Sequence, residues 1–492
     1  MGRPILVVLC VLACVSPAVA GDRELFRVLD AGVGPTTAAS RAAAGGSPGL
    51  VQRHYDRARD LQEAVRRAGP FSVSCHSLGG WAARYAAAET AAAEGLDRLD
   101  PARARRQRHA AGVARARIAV ARRVCTPGAA RAAHGIPTLV DPRPGAVTFG
   151  DVVARAPVGA DGATLSVNGV VVGSLALAGG FARFHLTGVS GRSTLEVRFT
   201  RRGVATGVAR STGVWLLPAS AAEPARAPVL DQSLQAGIRA ATVGFSGIAG
   251  VWLEDLRTGR AAAWNAGARF PAASTVKLGV LVEALRRMGP QPDMSALFHD
   301  VHGLATWSSN LASNRLIGAV GGSAAVQGAL ARMGATSSTF TGPYIVATER
   351  PPVDAPQPPP RVSGRVTTAH DLGAVLATLH DAARGDAAAL ARTRLSRAQA
   401  RLALGLLLSS EAAGDNVGLF REALGSSALA AQKHGWISSA RQSAAVIYTE
   451  RGPVVLVLLT YRAGLTRFQA ARLGAALVRL ATAGSGEPAP GS

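Results

Sequence analysis

Lysine is almost missing from this chain of 492 residues: of 54 basic residues only two are lysine, Lys277 and Lys433. Arginine serves as well for solubility and surface ion pairs but does not give up its proton in a protein, whereas lysine does when its pKa is depressed. A chain that writes arginine everywhere else therefore marks positions 277 and 433. Cysteine is scarce too. Of four, Cys10 and Cys14 fall in an apolar N-terminal stretch, leaving Cys75 and Cys125, an exported pair expected to form a structural disulfide rather than a metal site. Beyond the first twenty residues no apolar run approaches the roughly 18 residues needed to span a bilayer; the longest, Val454 to Leu459, has the size of a strand. Acidic residues are few, 31 against 54 basic, for a net charge of +23, yet aromatics make up only 5% and no aromatic-interleaved basic stripe occurs. The charge reads as an Arg- and Ala-rich composition, and no nucleic-acid partner is expected. No phosphate-cradling loop is present, and His299 and His302, spaced i, i+3, have no third ligand nearby. Neither metal nor cofactor is expected.

The length calls for several domains. Arg3, the apolar run Ile5 to Ala13 and the small-x-small end Ala18-Val19-Ala20 are built like an export signal, so residues 1–20 are expected to be removed and the protein to be secreted or held in a bacterial envelope. Lipid attachment at Cys14 is the competing outcome, which Leu12 fits poorly. Residues 21–135 form an expected α-helical segment, with helices over Leu50–Ala68 and Gly79–Arg123, and a Cys75–Cys125 bridge clamping a helical hairpin. Within it, Cys75-His76-Ser77-Leu78-Gly79-Gly80 mimics a hydrolase nucleophile elbow without the strand before it, and Ser77 reads as a helix cap.

From 136 to 217 short β-rich runs recur at regular intervals, with a hairpin signal at Asn168-Gly169. This β-sandwich resembles the immunoglobulin-like modules of exported bacterial proteins. A Pro/Ala-rich linker, 218–230, precedes a domain over 231–483 in which strands near both ends enclose a helical middle, giving an α/β sandwich on one antiparallel sheet; residues 484–492 read as a disordered tail.

The chemistry lies in that last domain. In Phe270-Pro-Ala-Ala-Ser274-Thr-Val-Lys277 a helix is expected to begin at or near Ser274, placing Lys277 one turn later on the same face. A serine becomes a nucleophile when a neighbour accepts its proton, and a neutral lysine can do so. Ser308-Ser309-Asn310 follows with Asn314, and Lys433-His434-Gly435-Trp436 precedes a C-terminal strand. In this order the motifs resemble the Ser-x-x-Lys, Ser-Asp-Asn and Lys-Thr-Gly signatures of class A β-lactamases and penicillin-binding proteins. The resemblance covers about residues 231–483.

The resemblance implies Ser274 as nucleophile, Lys277 as its proton acceptor, Ser308 as the serine that passes a proton to the leaving nitrogen, and Asn310 as the amide holding the substrate's side-chain amide. It implies structural duty for Asn314, positive charge from Lys433, and close approach of an edge strand at Gly435. The oxyanion hole would be the N–H groups of Ser274 and Trp436, and Arg441 would meet a substrate carboxylate. Departures are Ser309 for aspartate, His434 for threonine or serine, and a missing Glu-x-x-Leu-Asn segment; Glu349 is the preferred candidate for the deacylating base over Asp354. The implied activity is an exported serine hydrolase that opens β-lactam amides through an acyl-enzyme. The alternatives are a D-alanyl-D-alanine carboxypeptidase with slow deacylation and a non-catalytic cell-wall peptide-binding module. The expected partner is a small β-lactam or a peptidoglycan stem peptide.

Overall fold

The structure is a computed structural model that describes residues 17–72, 74–125, 137–289, 292, 295–346, 364–410, 418–424 and 428–483. It divides into two compact units, one of N-terminal helices and one holding everything from Pro137 to Tyr344 and from Gly364 to the C-terminal helix. No helix among the described residues is long and apolar enough to cross a membrane.

The first unit has four helices, α1 (Pro17–Ala42), α2 (Pro48–Ala68), α3 (His76–Asp97) and α4 (Pro101–Val124). Its core is alanine-rich, with Leu25, Leu61, Leu78, Tyr85 and Ile118 supplying the bulk. Small residues let backbones approach closely: a Cβ on Gly95 of α3 would lie 2.8 Å from the Ala104 amide of α4. The long helix expected over Gly79–Arg123 is in fact two. Leu99 turns left-handed (φ 55°), the Asp100 side chain caps α4 by accepting from the Arg103 amide, and Pro101 takes the first turn, where its missing N–H costs nothing. Ser77 is not a cap: Cys75 occupies that position and Ser77 lies inside α3. Cys75 and Cys125 form a disulfide that closes 50 residues of chain around this hairpin, a constraint on the unfolded state worth about 4 kcal/mol.

The second unit opens with two sheets on one core. Strands β1 (Thr138–Asp141), β2 (Val147–Thr148), β3 (Asp151–Arg155), β4 (Gly162–Val167), β5 (Val170–Ala176), β6 (Phe181–His185), β7 (Gly191–Arg201) and β8 (Val204–Leu216) pair in the orders β1-β3-β6 and β2-β8-β7-β4-β5. Asn168 and Gly169 both have positive φ, the geometry of a tight hairpin turn between β4 and β5. Alternate residues of β4 and β7, among them Leu165, Leu195, Val197 and Phe199, fill the space between the sheets.

Next come β9 (Val229–Leu230), α5 (Gln232–Val243), β10 (Ile248–Asp255), β11 (Arg260–Trp264), β12 (Phe270–Pro271), α6 (Lys277–Arg287), α7 (Phe298–Thr306), α8 (Asn310–Val320), α9 (Ser323–Arg332), β13 (Val366–Thr367), α10 (Ala369–Arg384), α11 (Ala387–Thr393), α12 (Arg397–Leu408), β14 (Leu429–Ile437), β15 (Ala440–Thr449), β16 (Gly452–Tyr461) and α13 (Arg467–Thr482). The main sheet runs β14-β15-β16-β10-β11-β9, antiparallel except for β9, a short parallel addition at one edge. Its central strand β16 is buried on both faces, which is why Val454 to Leu459 reads as an unbroken apolar run. Val455, Val457 and Leu459 join the core under helices α6 to α12, while Val454, Leu456 and Leu458 join a second core under α5 and α13. Residues 218–230, read as a linker, are laid against this domain: Ala221 is buried in the larger core and Ser220 donates to the Thr449 carbonyl. The β-sandwich rests on α12, where Gly405 lies so close that a Cβ would collide with the Gly145 carbonyl. The fully buried Arg401 reaches across this junction to Asp141 (2.5 Å) and Asp151 (3.5 Å), and Arg397 adds a 2.8 Å bond to Asp151.

Candidate active site

Ser274 sits in a tight turn between β12 and α6. The amides of Thr275, Lys277, Leu278 and Gly279 each bond three residues back, and the regular α-helix starts at Lys277 rather than at Ser274. Three residues per turn bring positions 274 and 277 onto one line, which is the juxtaposition the motif requires. Ala273, just before the serine, has φ +47°, a left-handed conformation that costs an alanine of order 1 kcal/mol. The turn is held from the sheet by Gln442, whose amide donates to the Pro271 carbonyl and accepts from the Thr460 amide.

Lys277 is fully buried. Its Nζ donates to the Ser308 carbonyl and to Asn310 Oδ1, both at 2.7 Å, and lies 3.4 Å from Ser308 Oγ. Both short partners can only accept, so two N–H bonds of Lys277 are committed to them. Ser308 itself is left-handed, with φ +62°, a strained conformation held in place by these contacts. The second lysine completes the convergence. Lys433 Nζ lies 2.8 Å from Ser308 Oγ and 2.8 Å from the His434 carbonyl. Burial pushes its ammonium down to about 7. The chain's two lysines thus meet at one serine hydroxyl.

Gly435 brings β14 against the nucleophile turn: a Cβ there would stand 2.5 Å from the Ser274 amide nitrogen, a distance no side chain tolerates. Lys433 and Gly435 face the site, so pleating puts His434, Trp436 and their cross-strand neighbour Arg441 on the other side of the strand. The Arg441 guanidinium stacks over the half-exposed Trp436 ring at 4.7 Å. The structure therefore brings Lys277, Ser308, Asn310 and Lys433 into one hydrogen-bonded cluster beside Ser274 and Gly435, and sets Trp436 and Arg441 apart as a cation–π pair. His434 is buried, and among the described residues neither ring nitrogen has a hydrogen-bond partner; desolvation, helped by the charge of Lys433, holds it neutral.

The departure at Ser309 has a local explanation. Its hydroxyl caps α8, accepting from the Ala312 amide, a duty serine and aspartate share. Asn314, one turn on, pins the segment after the cis Gly342-Pro343 bond: it accepts from the Tyr344 amide at 2.6 Å and donates to the Tyr344 carbonyl at 3.0 Å. This fixes the buried Tyr344 ring 4.3 Å from Lys277 Nζ, with the Arg365 guanidinium 3.9 Å from the same ring. Burial raises the Tyr344 hydroxyl to about 12, so it stays protonated. Tyr344, Gln442 and the strained Ala273 were not foreseen, since none carries a motif. Glu349 and Asp354 lie outside the described residues. Among the described residues no cluster of three His, Cys, Asp or Glu could hold a metal; the rings of His299 and His302 pack edge-on against Trp307.

A model of the β-lactamase enzyme family matches residues 232–291 and 300–483. Among solved structures the chain is similar to PBP-A, at 17% identity and TM-score 0.42, over 52% of this chain and 98% of that one. It is similar to a β-lactamase from Sphaerobacter thermophilus, at 19% identity and TM-score 0.39, over 51% and 96%. An ancestral class A β-lactamase matches at 21% identity and TM-score 0.40, over 50% and 99%. No curated protein matches the chain in sequence.

Proposed function

From the match of residues 232–291 and 300–483 to the β-lactamase enzyme family, we propose that this domain is an exported hydrolase that opens β-lactam amide bonds through an acyl-enzyme on Ser274. One observation carries the proposal: the only two lysines of the chain converge on the Ser308 hydroxyl, at 3.4 Å and 2.8 Å, beside the Ser274 turn.

In the proposed cycle Lys277, as the free amine, takes the Ser274 proton while Oγ attacks the lactam carbonyl carbon. The developing oxyanion is met by the amides of Ser274 and Trp436. The C–N bond breaks as the leaving nitrogen receives a proton through the Ser308 hydroxyl, leaving an ester on Ser274. Asn310 orients the substrate amide, and Lys433 supplies a compact positive charge for its carboxylate. Water then hydrolyses the ester, and Glu349, five residues beyond the anchored Tyr344, is the candidate base for that step. The N-terminal stretch through Ala20 supports export, and the β-sandwich, as an immunoglobulin-like adaptor, suits an enzyme working in a cell envelope.

Incubation of the purified protein with a fluorescent penicillin and a chromogenic cephalosporin tests this reading. A rapid adduct with multiple turnover is expected. A persistent one-to-one adduct would instead favour a penicillin-binding peptidase with slow deacylation. No adduct, or one that survives Ser274→Ala, would sink the acyl-enzyme proposal.

A further inference from the structure

Six large apolar side chains of the hydrolase domain stand exposed at one end of its main sheet. Strand pairing sets three of them in one row. Ile437 of β14 lies opposite Ala440 of β15, which lies opposite Tyr461 of β16, which lies opposite Ile248 of β10. Trp436 precedes Ile437 on the strand, Val243 closes α5 just before β10, and Phe468 stands in the first turn of α13, 78% exposed. Single exposed apolar residues are ordinary, but a group gathered from five elements at one end of a sheet marks a surface that meets something other than water. Three of the six are aromatic. Trp and Tyr, each an apolar body with a polar tip, suit a boundary between water and hydrocarbon.

The charge around them is one-sided. The segments that supply this end, residues 232–253 and 428–482, carry seven arginines and one carboxylate, Glu450, which lies in the β15–β16 turn at the far end of the sheet. The whole chain holds 31 acidic residues against 54 basic, so the depletion is local. Arg462 follows Tyr461 and is anchored by a 2.5 Å bond to Ser246 Oγ. Arg467 pairs with Glu422, and Arg441 stacks on Trp436. Arg472, one turn beyond Phe468, is exposed and lines a groove between α5 and α13 with Phe245 and Leu473. Guanidinium groups set around apolar side chains complement a surface that is anionic outside and apolar beneath. Phe468 and Val243, both more than 70% exposed, project rather than line a hollow. Projecting groups enter a fluid layer, whereas a protein partner has to offer matching hollows.

We propose that this end of the hydrolase domain rests on an anionic lipid surface, with Phe468, Tyr461 and Trp436 at the level of the headgroups and Arg462 and Arg472 against lipid phosphates. The surface is independent of the acylation chemistry and stands whether or not that reading holds. Trp436 follows Gly435, so docking brings the Ser274 turn close to the lipid. The test is co-sedimentation of the full chain with vesicles of phosphatidylcholine and of phosphatidylcholine mixed with phosphatidylglycerol. Binding to the mixed vesicles is expected, and it should weaken with added salt. Phe468→Ser is expected to weaken it about tenfold and Arg472→Gln about fivefold. Both side chains stand in water, so both variants are expected to melt and to label with penicillin as the wild type does. Equal binding to the two kinds of vesicle overturns the proposal, as does failure to bind either. Equal binding by wild type and the double variant moves the contact to another part of the chain, such as the apolar N-terminal stretch, and also overturns it. Self-association without lipid that Phe468→Ser abolishes assigns the surface to a second copy instead.

Discussion

The helical unit and the hydrolase domain use positive charge in opposite ways. In the first, most cations sit in water: Arg122 and Asp30 pair at 2.6 Å with both side chains at least 40% exposed, where solvent and salt screen the pair. In the second, three cations are buried outright, Lys277, Lys433 and Arg401. Their identities follow from whether the proton must leave. Arg401 forks to two aspartates and the Ala383 carbonyl across a junction, where a permanent charge is useful. Lys277 and Lys433 meet at the Ser308 hydroxyl, through which the proposed cycle passes a proton. Under that proposal, a chain that defaults to arginine keeps lysine at 277, where arginine's fixed charge would fail.

The sharpest way to break this contrast is Lys277→Arg. Charge and much of the length remain, but the guanidinium cannot accept the Ser274 proton, so acylation by a fluorescent penicillin is expected to fall about 10³-fold; an unchanged rate would remove Lys277 from the proton path. Next in size is Arg401→Ala, which leaves Asp141 without its partner at the sandwich junction. We expect a loss of about 2–3 kcal/mol in chemical denaturation, the low side of a broken buried pair because Asp151 is 42% exposed. Arg401→Lys should recover only part of it, since an ammonium cannot fork. Gly435→Ala tests placement rather than charge: its Cβ would meet the Ser274 amide at 2.5 Å, and displacing that turn is expected to slow acylation about 100-fold with the fold retained.

How much of this was readable in advance depends on how local each cause is. The strands of the hydrolase domain and its motif residues were legible, because period, turn chemistry and lysine scarcity are properties of short stretches. The break at Asp100-Pro101 was missed: a capping aspartate and a first-turn proline mark it, but the alanine-rich helical pattern on either side concealed them. Tyr344 was not legible: its place over Lys277 depends on Asn314, 30 residues earlier, gripping its backbone. Nor was the strain at Ala273 and Ser308, since neither residue type favours a left-handed backbone; only the surrounding contacts impose it. Arg441 was expected to point at substrate, yet strand pleating sets it beside Trp436 on the face away from Lys433, a parity that follows only once the β14–β15 register is fixed.

The last expected effect is the smallest and separates the two lysines by pH. Burial lowers Lys433 from 10.5 to about 7, so in the free protein it is cationic below that pH and neutral above it. Acylation by a carboxylate-bearing β-lactam, read as kcat/KM, should therefore decline above about pH 7, by at most tenfold per unit. Stability should move the other way. Between about 7 and 10.5 the unfolded chain binds a proton at this position that the folded chain does not, so the unfolding free energy rises with pH over that window. Below about 7 both states carry the proton, and the whole cost of burying the charge is present. Lys433→Arg, charged throughout, should remove the alkaline decline in acylation and the alkaline gain in stability together. If the decline persists in that variant, another group sets it, and Lys433 is a structural cation of the same kind as Arg401.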